Sequence, residues 1–440
     1  MRLTHLQFVC SVAVIVDWGL VSASEVFVML PLDTVSNQGD LKDQSTLASQ
    51  MDQLKGAGVD GIMADVWWGV TEQSPKTYNF HAYRQLVDLA KSRGMKVQLV
   101  TSFHMCGGNV GDTCNIPLPP FVTSIGGIWY KDHDGNEDTE YISLFADNFT
   151  VAGRTPLQMY SDWFHALAST FAEDLGGTVS ALQISMGPAG ELRYPAYQLS
   201  RWHFCGVGAF QCWDDHALAS FKAHAAQAGH VQWNSPPTDA GSYNSQPGDV
   251  AFFNGGYTSE YGKFFLDWYF SSLKGHGAAV LALAQEVFRG KVALTAKVSG
   301  IHWWYKSPHH AAELTAGYYN ANGRDAYKEI ADVLASSGKV GLDFTCLEMR
   351  DSEQSAACGS GPEELVGQVM SGARAAGVAF SGENALPRYD TTAYEKIESY
   401  KASLGAFTYL RLNGDLLQGD NFNRFKEFVS TMHAGKELIV

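Results

Sequence analysis

Short apolar segments with strand character alternate with amphipathic, helix-like segments along most of this chain. The strand-like segments span residues 25–31, 59–67, 95–103, 179–186, 292–298, 341–347, 377–382 and 406–410. The helix-like segments lie near residues 47–54, 80–93, 156–175, 259–288, 311–334, 362–375, 393–399 and 422–432. Runs such as VQLV at residues 97–100 fit strands that are buried on both faces, which is typical of a parallel sheet. Eight successive strand–helix units predict an α/β protein with a closed (β/α)8 TIM barrel.

An open, doubly wound sheet is the alternative arrangement of such units. It usually carries a glycine-rich dinucleotide loop after its first strand, and PLDT at residues 31–34 contains no glycine. The connections after the third, fourth and fifth strands, residues 104–155, 187–258 and 299–310, are much longer than the others. Long loops at the carboxyl ends of barrel strands carry active sites, so these three are expected to form a small lobe over the pocket.

The first residues have the pattern of a secretory signal peptide. Arg2 precedes an apolar run at residues 6–16, and small residues follow at 21–23. This pattern predicts a leader at residues 1–23 and a single (β/α)8 catalytic domain at residues 24–440. It also predicts secretion or residence in the secretory pathway, with a plastid or the cytoplasm as alternatives.

The composition favours some classes of partner over others. The net charge is -15 over 440 residues, which argues against nucleic acid and anionic membranes as partners, and we expect a monomer. The 11 Trp and 19 Tyr fit a carbohydrate binder, although large cores with amphipathic rims explain such residues as well. The seven cysteines are too sparse for a disulfide scaffold, and Cys106 and Cys114 are too far apart for a zinc knuckle. Cys106 and Cys346 are expected to be free thiols.

Two short segments place a glutamate where a strand ends. They are GPAGELRYP at residues 187–195, with Glu191, and SGENALPRYD at residues 381–390, with Glu383. Most glutamates lie at the surface, but two at the ends of different barrel strands, each beside Gly, Pro and Arg, suit the hydrolysis of a glycosidic bond. One would protonate the leaving oxygen, and the other would activate water or attack the sugar.

Other strand ends carry candidate sugar-binding groups. Asp65, followed by Trp67 and Trp68, ends the second strand, where the carboxylate would accept hydrogen bonds from hydroxyl groups and the indoles would pack or stack. A turn cap over a core of tryptophans is the simpler interpretation. His104 ends the third strand, and the glycines of the following residues 107–112 suit either a closing lid or an ordinary turn.

The fifth and sixth strands add further polar groups. Lys297 and His302 flank the end of the fifth strand, and Thr345 lies at the end of the sixth. A histidine satisfied within a Trp-rich core is the alternative for His302. Glu348 is the carboxylate most easily mistaken for a catalyst, and a structural ion pair with Arg350 is at least as reasonable.

Taken together, these segments resemble glycoside hydrolase family 14, the beta-amylases, from about residue 26 to the end of the chain. The matching motifs are AGVDGIMADVWWG, SFHMCGGNVGD, GPAGELRYP, KVSGIHWWYK, HAAELTAGYYN, FTCLEMRDSEQ and GENALPRYD. The resemblance implies an inverting exo-hydrolase of α-1,4-glucans such as starch, which releases β-maltose from non-reducing ends and needs no metal or other cofactor.

The resemblance also assigns roles to individual residues. Glu191 matches the general acid and Glu383 the general base, and residues 107–112 match a mobile loop over the non-reducing end. Cys106 and Cys346 match thiols near the pocket that are not catalytic. The positions that match substrate contacts are Asp65, His104, Asp112, Lys297, His302, Thr345, Asn384, Ala385 and Arg411.

One residue departs from the family pattern. Where the family commonly has Asn-Phe-Thr-Cys, this chain has Asp343 before Phe344-Thr345-Cys346. Because strand side chains alternate, Asp343 is expected on the same side as Thr345 and one layer deeper. If ionised it would raise the pKa of a neighbouring catalytic glutamate, and if neutral it would have no such effect.

A non-catalytic glucan-binding regulator and a retaining glycosidase remain the alternative functions, because a fold does not fix function.

Overall fold

A computed structural model of the protein describes residues 23–151 and 153–434. Within this part, eight parallel strands close into a barrel, so the predicted fold class is confirmed and the open sheet is excluded. The barrel strands are β1 (Glu25–Met29), β2 (Gly61–Trp67), β3 (Lys96–Ser102), β6 (Val179–Ile184), β7 (Ala293–Val298), β8 (Gly341–Phe344), β9 (Phe380–Glu383) and β10 (Ala406–Leu410). Each strand pairs with its neighbour in the chain, and β10 closes the barrel against β1.

Helices surround the barrel, and several short ones lie in its loops. They are α1 (Gln44–Gly56), α2 (Trp68–Thr71), α3 (His81–Lys91), α4 (Pro120–Thr123), α5 (Pro156–Thr170), α6 (Asp215–Gln227), α7 (Glu260–Phe288), α8 (Ala311–Thr315), α9 (Ala326–Ser336), α10 (Pro362–Ala376), α11 (Thr391–Glu398) and α12 (Gly419–His433). The start of α5 shows how the sequence sets these bounds. Thr155 and Gln158 form a reciprocal capping box, and Pro156 occupies the first turn, where its missing N–H costs nothing.

The barrel interior is partly polar. A small apolar cluster of Met29, Met63 and Val100 is separate from the large core between strands and helices. Gln183 on β6 donates a hydrogen bond to Asp343 on β8, and β7 lies between these two strands. The hydrogen bond between Gln183 and Asp343 therefore crosses the interior of the barrel and links these two polar side chains beneath the pocket.

The long connections have structure that the hydrophobic pattern did not predict. The connection after β3 holds an antiparallel hairpin of β4 (Trp129–Lys131) and β5 (Glu137–Ile142), and the connection after β6 holds α6. The predicted helix at residues 311–334 is two helices, because Gly317 and Gly323 adopt the left-handed conformation between them. These loops build the lobe above the carboxyl ends of the strands.

The predicted leader at residues 1–23 lies, except for its last residue, outside the described residues. Ser24, the next residue, is buried and donates to the carbonyl groups of Lys401 and Leu404. Across residues 23–151 and 153–434, no helix combines the length and apolar character needed to cross a membrane.

Candidate active site

The carboxyl ends of the strands bring Glu383 and Lys297 together at one mouth of the barrel. Glu383 is the last residue of β9, and Lys297 lies near the end of β7, two strands away. The Glu383 side chain is completely buried, and its Oε2 pairs with Lys297 Nζ at 2.5 Å. Because a buried carboxylate is tolerated only when it is paired, Lys297 is the group that allows a charge at this depth.

A second carboxyl group, that of Asp343, lies one layer below Glu383. It accepts hydrogen bonds from Gln183 Nε2 at 2.5 Å and Ser381 Oγ at 3.0 Å, and it hydrogen-bonds the Glu383 carboxylate. Burial, and then the charge of Glu383, raises the pKa of Asp343 well above its usual range. Burial also acts to raise the pKa of Glu383, but Lys297 and the hydrogen bond from Asp343 offset it, so that this pKa is lowered.

Of the two possibilities stated for Asp343, its raised pKa favours the neutral form, which would not raise the pKa of a catalytic glutamate. Two carboxyl groups in contact share one proton, because two adjacent negative charges repel each other. Of the two, Glu383 has the direct contact with Lys297, so the proton stays on Asp343. Asp343 occupies the predicted deeper layer, and its raised pKa favours a neutral carboxyl group beside Glu383.

Glu191 is held by a loop rather than by a strand. It follows the short 3-10 turn Pro188–Gly190, in which Ala189 has a φ of 54°, and it is 8% exposed. Arg193 Nε donates to Glu191 Oε2 at 2.6 Å. A Cβ on Gly187 would come within 2.4 Å of the Glu191 carbonyl oxygen, so only glycine lets the chain fold back here.

Lys297 connects the two glutamates. Its backbone carbonyl accepts a hydrogen bond from Leu192 N at 2.9 Å, beside Glu191, while its side chain contacts Glu383. Burial lowers the pKa of Lys297, but the charges of Glu383 and Glu191 outweigh this and raise it. Both carboxylates therefore act on one ammonium group, as expected for two groups facing the same pocket.

Asp65 lies at the end of β2 with one oxygen unoccupied. Ser102 Oγ donates to its Oδ1 at 2.7 Å, while its buried Oδ2 has no hydrogen-bond partner among the described residues. Burial raises the pKa of Asp65, and the charge of Arg411, which follows β10, opposes this. An aligned, empty acceptor of this kind suits a sugar hydroxyl group.

The two predicted histidines are buried and uncharged at neutral pH. Burial, and then the charge of Lys297, lowers the pKa of His104 to about 3, and His104 Nδ1 lies 3.2 Å from Ser185 Oγ. Burial lowers the pKa of His302 to about 4, and His302 Nδ1 has no partner within the described part of the chain. Neutral imidazoles can exchange hydrogen bonds with hydroxyl groups without adding charge to the pocket.

The tryptophans beside Asp65 belong to the core. Trp67 Nε1 donates to the carbonyl of Leu32 at 2.8 Å, and Trp68 Nε1 donates to Glu72 at 2.7 Å. Both indoles are buried, so of the two roles considered for them, packing rather than sugar stacking is what the structure shows.

The segment after Glu383 is held in place by Glu348. The Glu348 carboxylate accepts the backbone N–H groups of Ala385 and Leu386, the latter at 2.8 Å. The predicted ion pair with Arg350 is therefore wrong, although the structural role is right, and burial raises the pKa of Glu348 to about 7. Asn384 is also tied internally, since its Nδ2 donates to the carbonyl of Leu410 at 2.7 Å.

Thr345 and Asp112 lie in loops that follow two different barrel strands, β8 and β3. Thr345 follows β8 and is buried, and a Cβ on Gly300 would lie 2.7 Å from its Oγ1, so glycine lets the loop after β7 pass closely over it. Asp112 lies in the glycine-rich loop and accepts the backbone N–H groups of Gly107 and Asn109 at 2.9 and 3.0 Å.

The glycine-rich loop is closed by a disulfide bond between Cys106 and Cys114, so the expectation of a free thiol at Cys106 is wrong. Backbone hydrogen bonds between Cys106 and Ile116 turn the chain back on itself, which brings the Cα atoms of the two cysteines to 5.8 Å. A second bond, between Cys205 and Cys358, links two loops of the lobe. Cys346 is free and buried, as expected.

Several residues near Glu191 were missed by the sequence interpretation. Arg193 lies within the GELRYP motif, and its guanidinium group also stacks on Tyr197, 4.2 Å from the ring centre. Glu140 lies on the unpredicted hairpin, and Gln183 lies inside a strand. In the described residues no cluster of His, Cys, Asp and Glu could hold a metal ion.

Comparison with known proteins gives consistent matches across the chain. The family model for glycosyl hydrolase family 14 matches residues 27–437. A soybean (Glycine max) protein named beta-amylase is 48% identical over 435 residues, which cover 94% of this chain and 87% of that protein. The crystal structure of the catalytic domain of beta-amylase from Paenibacillus polymyxa superimposes with a TM-score of 0.79 at 32% identity, covering 94% of this chain and 99% of that one.

The predicted location is contradicted by these comparisons. Relatives from rice (Oryza sativa subsp. japonica) and Arabidopsis thaliana, 47–49% identical over 92–94% of this chain, are named chloroplastic. These names point to the plastid, which was one of the stated alternatives, and away from secretion. An N-terminal charge followed by an apolar run was too weak a signal to separate the two.

Proposed function

The chain belongs to glycosyl hydrolase family 14 and functions as a beta-amylase, and we propose that Glu191 is its general acid and Glu383 its general base. The substrate is starch or a related α-1,4-glucan. The proposed reaction inverts the anomeric carbon and releases β-maltose from non-reducing ends, because a water molecule activated by Glu383 attacks opposite the bond that Glu191 protonates.

The observation that carries the assignment of Glu383 is its buried ion pair with Lys297, whose Nζ lies 2.5 Å from Glu383 Oε2. A completely buried carboxyl group would normally hold its proton, but the pKa of Glu383 is lowered by Lys297 and by the hydrogen bond from Asp343. A general base has to be ionised before it can accept a proton from water. Glu383 is therefore prepared for that role before substrate binds.

The assignment of Glu191 rests on its place in the pocket. The loop that bears Glu191 is hydrogen-bonded to the backbone of Lys297, whose side chain contacts Glu383, so both carboxylates lie beside this one lysine. An inverting enzyme needs about 6.5–9.5 Å between its two carboxyl groups, to leave room for water.

The proposed substrate contacts surround these two groups. They are Asp65, His104, Asp112, Lys297, His302, Thr345, Asn384, Ala385 and Arg411. Asp65 Oδ2 and His302 Nδ1 support this most directly, because each is a buried polar atom without a partner in the described chain. For Asn384 the side chain is already occupied by backbone groups, so its proposed contact is through its backbone.

The enzyme is proposed to act as a monomer. Analytical ultracentrifugation of active enzyme at assay concentration tests this, and a single species near 48.0 kDa is expected. Loss of activity on dilution from a larger species would contradict it.

The function is tested by NMR of a fresh maltooligosaccharide digest, which identifies product size and anomer together. We expect β-maltose from the wild type, and a loss of at least ~10²-fold in kcat for Glu191→Gln and for Glu383→Gln. Glu313→Gln is the matched control, since this buried carboxylate contacts His310, Asn320 and Tyr327 and takes no part in the proposed chemistry.

Each of the other possible results would change one assignment of the proposed function. An α-anomeric product would replace the inverting assignment by a retaining one. Near-normal activity in Glu191→Gln or Glu383→Gln would show that the residue was misassigned. Glucan binding without any sugar release by the wild type would favour the regulator, which no observation at present supports.

A further inference from the structure

Glu140, a buried carboxylate outside the proposed site, contacts both loops that matter to Glu191. It lies on β5 of the hairpin and is 1% exposed. Its Oε1 accepts a hydrogen bond from the side-chain amide of Asn109, in the glycine-rich loop, and another from Ala189 N at 3.2 Å. Ala189 lies two residues before Glu191, in the turn that carries it.

The contacts continue from Asn109 back to Glu191. Asn109 Oδ1 accepts a hydrogen bond from Arg193 Nη2 at 2.8 Å, and Arg193 Nε donates to Glu191 Oε2 at 2.6 Å. Glu140, Asn109, Arg193 and Glu191 therefore form a chain of hydrogen bonds, and the contact of Glu140 with Ala189 closes it into a ring.

The partners of Glu140 are not those of an ordinary structural carboxylate. Burial, and then the charge of Asp138, raises the pKa of Glu140 to about 8, although the charge of Arg193 and the hydrogen bond from Asn109 act to lower it. Ala189, with its φ of 54°, is a non-glycine residue in the left-handed region and needs support from its surroundings. The backbone carbonyl of Glu140 also accepts Met105 N at 2.9 Å, at the start of the glycine-rich loop.

We propose that Glu140 is a positioning residue that joins the turn bearing Glu191 to the glycine-rich loop, so that ordering of the loop and alignment of the acid occur together. The inference rests on the proposed role of Glu191. When Asn109 is in place, Arg193 is shared between Asn109 and Glu191, and Ala189 is fixed. When the glycine-rich loop moves away, Glu140 loses the hydrogen bond from Asn109. The turn that bears Glu191 is then no longer linked through Glu140 to that loop.

This coupling has a chemical signature. If Glu140 acts through the general acid, its loss affects substrates according to how much their leaving group needs a proton. A glucosyl leaving group of a maltooligosaccharide needs protonation, whereas fluoride leaves from α-maltosyl fluoride with little help. A residue that merely stabilises the fold would slow both reactions equally.

The experiment compares kcat for maltotetraose with kcat for α-maltosyl fluoride in four variants. Glu191→Gln calibrates the signature and should lose ~10²–10⁴-fold on maltotetraose and far less on the fluoride. Glu140→Leu should lose roughly tenfold on maltotetraose, a fraction of that acid contribution, and again less on the fluoride. Glu140→Gln keeps an acceptor oxygen for both donors and should restore the wild-type ratio.

Asp132→Asn is the matched control on the same hairpin. Asp132 is also buried, but it accepts the N–H groups of Asp134 and Asn136 within its own turn, and in the described residues it has no hydrogen bond to residues 107–112 or 187–191. Its ratio of the two rates should equal that of the wild type.

The outcomes separate the inference from the proposed function. Equal losses on both substrates in Glu140→Leu, with the expected ratio in Glu191→Gln, would overturn the role of Glu140 alone. A Glu191→Gln variant without leaving-group dependence would overturn the assignment of the acid. If Glu140→Leu does not fold, Asn109→Leu removes the same contact from the loop side, and equal losses there would likewise overturn the inference.

Discussion

The two proposed catalytic glutamates are held in contrasting ways. Glu383 ends a barrel strand, is completely buried, pairs with Lys297, and lies beside Asp343, a carboxyl group whose pKa is raised by burial. Glu191 sits on an irregular turn, and its partner Arg193 is shared with the glycine-rich loop. The barrel therefore fixes Glu383, the proposed base, whereas the loops fix Glu191, the proposed acid. The surroundings of Glu383 are called the base half and those of Glu191 the acid half, and only the acid half depends on the order of the loops.

The base half should be most sensitive to loss of its cation. Lys297→Met leaves Glu383 buried and unpaired, which for such pairs costs about 3–5 kcal/mol of folding stability, so the Tm should fall. Because Lys297 lowers the pKa of Glu383, its loss should also move the acid limb of the pH–rate profile upward. Lys306→Met, which removes a half-exposed lysine paired with Asp351 at 2.8 Å, is the control and should be nearly normal. An unmoved acid limb in Lys297→Met would show that this lysine does not set the charge of Glu383.

The loops of the acid half should be sensitive to loss of their disulfides. The Cys205–Cys358 bond spans 153 residues and the Cys106–Cys114 bond only 8, so the longer one restricts the unfolded chain more. Removing a disulfide typically costs about 2–5 kcal/mol. The double variant Cys205→Ser, Cys358→Ser should lower the Tm more than Cys106→Ser, Cys114→Ser, as measured by calorimetry without reductant. A larger fall in the second variant would contradict this order.

The smallest expected effect concerns Asp343. Asp343→Leu removes a donor to ionised Glu383, and since hydrogen bonds to charged groups contribute about 1.5–3 kcal/mol, the acid limb should rise by about 1–2 pH units. Asp343→Asn keeps a neutral donor and should leave the limb in place. A downward shift in Asp343→Asn would mean that Asp343 is ionised in the working enzyme, and the contrast between the two halves would then need revision.

The same division decides what could be read from the sequence. The alternation of strands and helices predicted the barrel, and motifs at strand ends placed Glu383, Lys297 and Asp65 at its mouth, because strand ends meet wherever a barrel closes. The hairpin bearing Glu140 was missed, since β4 is only three residues long and lies inside a loop. The pairing of Cys106 with Cys114 depends on a backbone reversal that no hydrophobic period encodes.

The protonation of Asp343 could not be predicted for a related reason. Its neighbours Gln183 and Ser381 come from β6 and β9, far apart in the chain, and only the closed barrel places them around one carboxyl group. The sequence showed a possible charge on Asp343. Whether Asp343 raises or lowers the pKa of Glu383 depends on which of the two carboxyl groups lies nearer to Lys297.

Lys297 also has a consequence for the stereochemistry of the reaction. Its carbonyl oxygen holds the segment beside Glu191, and its ammonium group holds Glu383, so one residue spans the space between acid and base. The width of that space decides whether a water molecule or the enzyme itself attacks the sugar. Exchanging or lengthening the lobe loops would therefore alter which glucans enter. The anomeric configuration of the released sugar would still depend on the register of β7.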